Sequence, residues 1–322
     1  MNLLPRKARF CGGLLAFCAL SLIATGCAAT RSAKQARWEG DFYYTHRLHI
    51  DGQHGLAAQR YDTLADRASG AKDRHEAALM SCEAMRRGRA FKDAADCFDG
   101  VATRGTDRNL RTRALLHAAQ IRYDDLDKKA DALLMFSELV ARAPDTPAGL
   151  RALDWLTRDG RSGPEASRHA VQRMVKLERR NPRSPLADNL LLRSAMLLHE
   201  RGTDADKRRA VGLLVRMQTH HRHSSALLPG LLLRAKLHRG FGEPVAEARA
   251  LQAVVATHET SYVIGTYLEP AHMQAMERLV FLYSRPLRQP DRAEAVLDRL
   301  RSATHKPLRR YRYLALMARL RE

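Results

Sequence analysis

Two cysteines, a histidine triplet and a heavy arginine load are the side chains of this sequence that could do chemistry. Cys82 and Cys97 flank a helix–turn–helix corner, with Cys97 directly beside Phe98. They can bridge if the fold brings their Cα atoms within about 7 Å. They can equally serve as small buried apolar residues, and the sequence leaves both readings open. His220, His221 and His223 place three imidazoles within four residues. Neighbouring histidines on a helix point about 100° apart, so they do not converge on one ion. No cysteine or carboxylate nearby completes a ligand set. The triplet reads as a solvated helix end, where a protonated imidazole also suits the C-terminal dipole. Arginine outnumbers lysine 45 to 10. Guanidinium groups pair with phosphate and carboxylate in a bidentate fashion, but these are dispersed along the chain, as on ordinary solvated faces. Neither a phosphate loop, Gly-x-Gly-x-x-Gly, His-Glu-x-x-His nor Gly-x-Ser-x-Gly occurs. The expectation is a protein that is not an enzyme, with no metal and no cofactor.

The elements that must position these residues fall into three stretches. The chain has 322 residues, 45% hydrophobic and 28% charged, which suits a folded protein rather than a disordered one. Five cysteines are too few for a disulfide-built scaffold. Fifty-five basic against 35 acidic side chains give a net charge of +20, an excess that suits an anionic partner without choosing one. At the start, Arg6, Lys7 and Arg9 precede an apolar run from Phe10 to Ile23, followed by Ala24, Thr25, Gly26 and Cys27. That is the three-part layout of a secretory signal. The run is short for a membrane span, which takes about 20 apolar residues.

The end of this run resembles a bacterial lipoprotein signal, in which small residues precede a cysteine that is lipidated and becomes the mature N-terminus. Gly26-Cys27 carries the resemblance; Ala24 departs from it, since leucine is usual there. The resemblance implies a signal peptide over residues 1–26, lipidation at Cys27 and a short tether over residues 27–37. Ala28 rather than Asp after the cysteine implies the outer membrane, with the protein on its periplasmic face. Removing residues 1–26 takes away three basic side chains and no acid, leaving +17. Nucleic acid then recedes as a partner.

The rest of the chain repeats. An alanine, a bulky residue four on and an apolar residue three further recur on one helical face. The sets are Ala57-Tyr61-Leu64, Ala94-Phe98-Val101, Ala132-Phe136-Leu139, Ala170-Met174-Leu177, Ala210-Leu214-Met217 and Ala293-Leu297-Leu300, with an indistinct copy near Ala248. Successive alanines stand about 38 residues apart, with a longer last step. A second helical stretch precedes most sets, across a Gly- or Asp-rich turn. Pro182, Ser184 and Pro185 form a joint in which Pro182 ends one helix, Ser184 caps the next and Pro185 opens it.

This pattern resembles the tetratricopeptide (TPR) repeat. Leu116, Tyr123, Ala132, Phe136, Leu139 and Pro144 make the best copy, and Phe91, Ala94 and Phe98 carry another. The joint from Asn181 to Ala195 also looks like that of TPR lipoproteins that assemble outer-membrane β-barrels. The period exceeds the family's, and the usual tryptophan and glycine are mostly missing. The resemblance implies an all-α fold: a right-handed α-solenoid of about six to seven helix–turn–helix repeats over residues 38–310, with a capping helix over residues 311–322. It also implies a partner-binding groove at Phe42, His46 and His49, then at Glu76, Leu79, Glu83, Arg86 and Arg87, then at His117, Ile121 and Asp124. The implied partners are envelope proteins, such as β-barrel assembly or secretin components, with the membrane held through the lipid anchor. The alternative is a cell-wall or lipopolysaccharide binding module working through the arginine-rich surface. Thr260 to Pro270 breaks the helical rhythm and suits either a partner contact or burial between repeats.

Overall fold

The computed structural model describes residues 33–257, 270–303, 313–315 and 318. The signal, Cys27, the 260–269 segment and most of the expected capping helix lie outside the described residues. Every described element is a helix or a turn. Helix α1 spans residues 33–50, so it takes in the last residues of the segment read as a tether. There follow α2 (His54–Arg67), α3 (Ala71–Arg87), α4 (Phe91–Arg104), α5 (Arg108–Asp124) and α6 (Lys129–Arg142). Next are α7 (Pro147–Gly160), α8 (Pro164–Arg180), α9 (Ala187–Arg201) and α10 (Asp204–His220). The last are α11 (Leu227–Gly240), α12 (Pro244–Ala256), α13 (Pro270–Ser284) and α14 (Pro290–Ala303).

The chain forms two compact units, Met1–Met135 and Phe136–Glu322. In the first, α2 packs on α3, α3 on α4 and α4 on α5, and α3 also meets α5. In the second, α7 to α12 pack each on the next, as do α12 to α14, and α9 meets both α7 and α11. Packing between sequence neighbours, with α3–α5, α7–α9 and α9–α11 also in touch, is the arrangement of an α-solenoid.

The repeating alanines explain it. Ala57, Ala94, Ala132, Ala170, Ala210 and Ala293 are all fully buried, each on the second helix of a pair. A methyl group there lets the paired helix approach closely, and the residue four on fills the space beside it. Tyr61, Phe98, Phe136 and Met174 do so with no exposure. In the copy near Ala248, which the sequence left indistinct, burial sets the phase. Glu247 takes the alanine's place, and Leu251 and Val254 stand four and seven residues on, all three buried. Burial alone would raise the Glu247 pKa. Hydrogen bonds from Arg278 and Arg239 more than offset this and hold it below the carboxylate range. Arg278 grips it with two nitrogens at 2.8 and 3.0 Å, and Arg239 adds a third bond at 2.7 Å.

Capping follows the expected chemistry in part. Asp107, Thr146 and Thr203 accept backbone N–H bonds at the starts of α5, α7 and α10. Pro147 opens α7 as its first residue. At the 181–187 joint, however, Ser184 does not cap a helix begun by Pro185. Its hydroxyl accepts from the Leu186 N–H at 3.3 Å, closing a turn, and α9 begins at Ala187. The joint around His221 repeats this turn, with Ser224 accepting from the Ala226 N–H at 2.9 Å. His220 is the last residue of α10, exposed, and His223 is exposed in the joint, so the triplet stands at a helix end.

Close approach also fixes one glycine. A Cβ on Gly160, the last residue of α7, would lie 2.7 Å from Leu197 Cδ1 and 2.8 Å from the Ala170 Cβ. Helices α7, α8 and α9 meet there with no room for a side chain.

Candidate partner-binding face

Within the first unit, α1, α3 and α5 are the first helices of successive pairs. The TPR resemblance puts His46, His49, Glu83, Arg86, Arg87 and His117 on one face, and the structure brings them together around Glu83. Glu83 Oε1 accepts from Arg87 Nε at 3.3 Å, and its Oε2 lies 3.7 Å from Arg86 Nη1. It also acts on a histidine from each flanking helix. The His49 pKa is lowered by burial first, then by His54, His46 and Arg87, against an opposing pull from Glu83. The His117 pKa is lowered by burial, with Arg86 and Arg113 adding to it, again opposed by Glu83 and by a hydrogen bond with Gln120. One carboxylate on α3 is thus shared by α1 and α5.

The edges of this face are held from behind. His46 Nδ1 stands 3.1 Å from the hydroxyl of buried Tyr61, whose pKa burial raises to about 12. The rings of His46 and His49 are 6.3 Å apart, and those of His49 and His54 are 5.0 Å apart. His117 stacks on Phe98 at 5.1 Å. Arg113 lies 3.7 Å from Glu76, joining α5 to α3. Among the described residues, neither Glu83 Oε2 nor His117 Nδ1 has a hydrogen-bond partner, although both atoms are buried. Buried polar atoms are normally satisfied, and Glu83 Oε2 keeps the Arg86 guanidinium at 3.7 Å as a charge partner.

The expected groove therefore needs correction at three positions. Leu79 and Ile121 are buried in the apolar core shared by α3, α4 and α5 and line no surface. Phe42 is half-buried, stacked on Trp38 at 5.1 Å and edge-on to Tyr61 at 5.3 Å, and packs against the core of the first pair. All three fall on the inward flank of the helix stripe, where a repeat alignment offset slightly in angle mistakes core for groove. Asp124 is exposed at the last position of α5. Arg113, His54 and Gln120 belong to the face and were missed. Arg113 was within reach, since it stands four residues before His117 on the same helix.

Cys82 and Cys97 resolve in favour of the bridge. Their sulfurs are bonded and their Cα atoms lie 5.5 Å apart, tying α3 to α4. Cys82 is also fully buried in the core, so the apolar reading holds for its surroundings. The bridge fixes α3 against α4, next to the part of α3 that carries Glu83, Arg86 and Arg87.

No group of three or more histidine, cysteine, aspartate or glutamate side chains among the described residues stands in metal-ligating geometry. No described helix is long and apolar enough to cross a membrane. Many arginines are engaged within the fold: Arg122 with Asp99, Arg161 with Glu200, Arg193 with Asp154, Arg216 with Glu178 and Arg278 with Glu247.

No family model matches this chain, and no curated protein matches it. Among solved structures, a tetratricopeptide repeat protein from Parabacteroides merdae is similar over 87% of this chain and 98% of its own, at 14% identity and a TM-score of 0.36. BtubC (BKLC) from P. vanneervenii is similar over 83% of this chain and 90% of its own, at 13% identity and a TM-score of 0.33. The repeat architecture itself rests on the helix order, the packing between neighbours and the buried alanines described above.

Proposed function

We propose that this protein is a non-enzymatic scaffold of the bacterial envelope. It is exported, anchored through lipid on Cys27 at the periplasmic face of the outer membrane, and binds a protein segment along the α1, α3 and α5 face. The observation that carries the binding reading is the arrangement around Glu83. Three helices contribute histidine, arginine and carboxylate side chains to one face, with Glu83 paired to Arg86 and Arg87 at its centre. Mixed charge of this kind suits a peptide backbone and its polar side chains better than an apolar ligand. The basic leader, the apolar run and Gly26-Cys27 support export and anchoring. Components of β-barrel assembly or of secretin assembly are the partner classes that such a position offers.

Co-purification tests this. Full-length protein is recovered from detergent-solubilised envelopes, as wild type and with Arg86→Glu and Arg87→Glu together. Arg87 is exposed and Arg86 half-buried beside Glu83, so circular dichroism and a thermal melt are run on the double variant to verify that it folds. The expected result is a defined envelope protein recovered with wild type and lost with the variant. Equal recovery with both, or recovery of lipopolysaccharide or cell-wall material in place of protein, would overturn the proposal; the latter would favour the arginine-surface alternative.

A further inference from the structure

The outer side of α1 is the least covered apolar surface at the start of the first unit. Its inner side is firmly seated: the Trp38 indole donates to the Leu64 carbonyl at 2.9 Å, and Thr45 and Leu48 are buried. Opposite them, Gly40, Tyr43, Arg47 and Ile50 follow one another at three- and four-residue steps, and Tyr44, four on from Gly40, borders them on one broad stripe. Tyr43 is 67% exposed, Tyr44 51% and Ile50 69%. The Arg60 guanidinium from α2 lies over the Tyr44 ring, 5.0 Å from its centre. A terminal repeat ordinarily turns a polar face outward, because nothing stacks on it. This one presents two tyrosines, an isoleucine and two arginines.

We propose that this stripe of α1 docks on the lipid headgroup surface of the membrane that holds the anchor. The inference rests on the lipid-anchor reading. Only six residue steps separate Cys27 from residue 33, the first described residue of α1. Even fully extended they reach about 20 Å, so acyl chains on Cys27 keep α1 against the bilayer. Six residues are also too few to fold back and cover an 18-residue helix. The residue types fit the interface. Tyrosine sits where one end is apolar and the other wet, and arginine reaches up to phosphates while its stem stays on the apolar side. Glu39 and Asp51 flank the stripe, so docking depends chiefly on the tyrosines and Ile50, with charge a lesser part. The tether then gives more than attachment: it fixes which side of the first unit faces lipid.

The test uses the full lipidated protein in vesicles of phosphatidylethanolamine and phosphatidylglycerol. A quenchable fluorophore is placed by Gly40→Cys, where an added side chain meets nothing within 4 Å. A control label is placed by Lys92→Cys, exposed on α4. Headgroup spin-labelled lipid is the quencher, and mass spectrometry reads the modification of Cys27. Docking predicts loss of most of the Gly40-site fluorescence and little loss at Lys92. It also predicts that adding Tyr43→Ser and Ile50→Ser to the Gly40→Cys protein removes the difference. Equal quenching at both sites with Cys27 lipidated overturns the docking surface and leaves the anchor standing. An unmodified Cys27 overturns the anchor, and the docking inference with it. A doubled mass in detergent without lipid, with the Gly40 site shielded, assigns the stripe to a second copy of the chain and overturns lipid docking.

Discussion

Glu83 matters because one carboxylate serves two histidines that fold would rather keep neutral. His49 and His117 both have pKa values below their ordinary 6.5, chiefly through burial. Well above pH 6.5 both imidazoles are neutral whether the chain is folded or not, and they contribute nothing to pH dependence. As pH falls through 6.5 the unfolded chain takes up protons first, so the folded state loses stability until the folded pKa values are passed. Denaturant midpoints should therefore drop as pH falls through and below 6.5, and His49→Gln with His117→Gln should flatten that slope. An unchanged slope in the double variant would count against the burial account. Face residues were legible because TPR-like spacing brings them to one side. Leu79, Ile121 and Phe42 were misread because periodicity gives an angle on a helix and not the depth at that angle. The Cys82–Cys97 bridge was left open for a related reason: spacing cannot give a Cα separation. In the chain-entropy model, a bridge closing a loop of this size is worth about 3 kcal/mol.

At the level of elements, the alanine that lets paired helices approach is the most readable signal, because a small residue at close contact has no substitute of equal volume. Where glutamate replaces it, the pattern blurred. Glu247 survives there only because Arg278 and Arg239 hold it. The two sides of this arrangement should respond differently to truncation. Arg278→Ala strips a buried carboxylate of its bidentate partner and should cost about 2–3 kcal/mol in chemical unfolding. Glu247→Ala restores the residue that the other repeats carry and releases two arginines that can turn to solvent, so it should cost less than about 1 kcal/mol. The reverse order would show that the carboxylate contributes more than the small side chain it displaced. The late start of α9 has a similar lesson. Ser and Pro before a helix signal a joint reliably, but a serine can close its own turn instead of capping, and the sequence does not distinguish these.

For the whole molecule, the +20 charge divides into parts with different meanings. Three charges fall within residues 1–26, the segment proposed as a leader, and +17 lies on the rest of the chain, where many arginines of the repeats are engaged in pairs between helices. Those that remain at the Glu83 face and on the α1 stripe are the ones the proposed roles use. If the Glu83 face of the first unit meets a protein partner in the cell, photo-crosslinking in living cells will capture it, with the photoreactive group at Arg87, exposed on α3, and at Lys92, exposed on α4. The expected result is one discrete adduct from Arg87, identified by mass spectrometry as an envelope protein, reproduced from Arg113 and absent from Lys92. The same adducts from Lys92 as from Arg87, or none from Arg87 and Arg113, would contradict it.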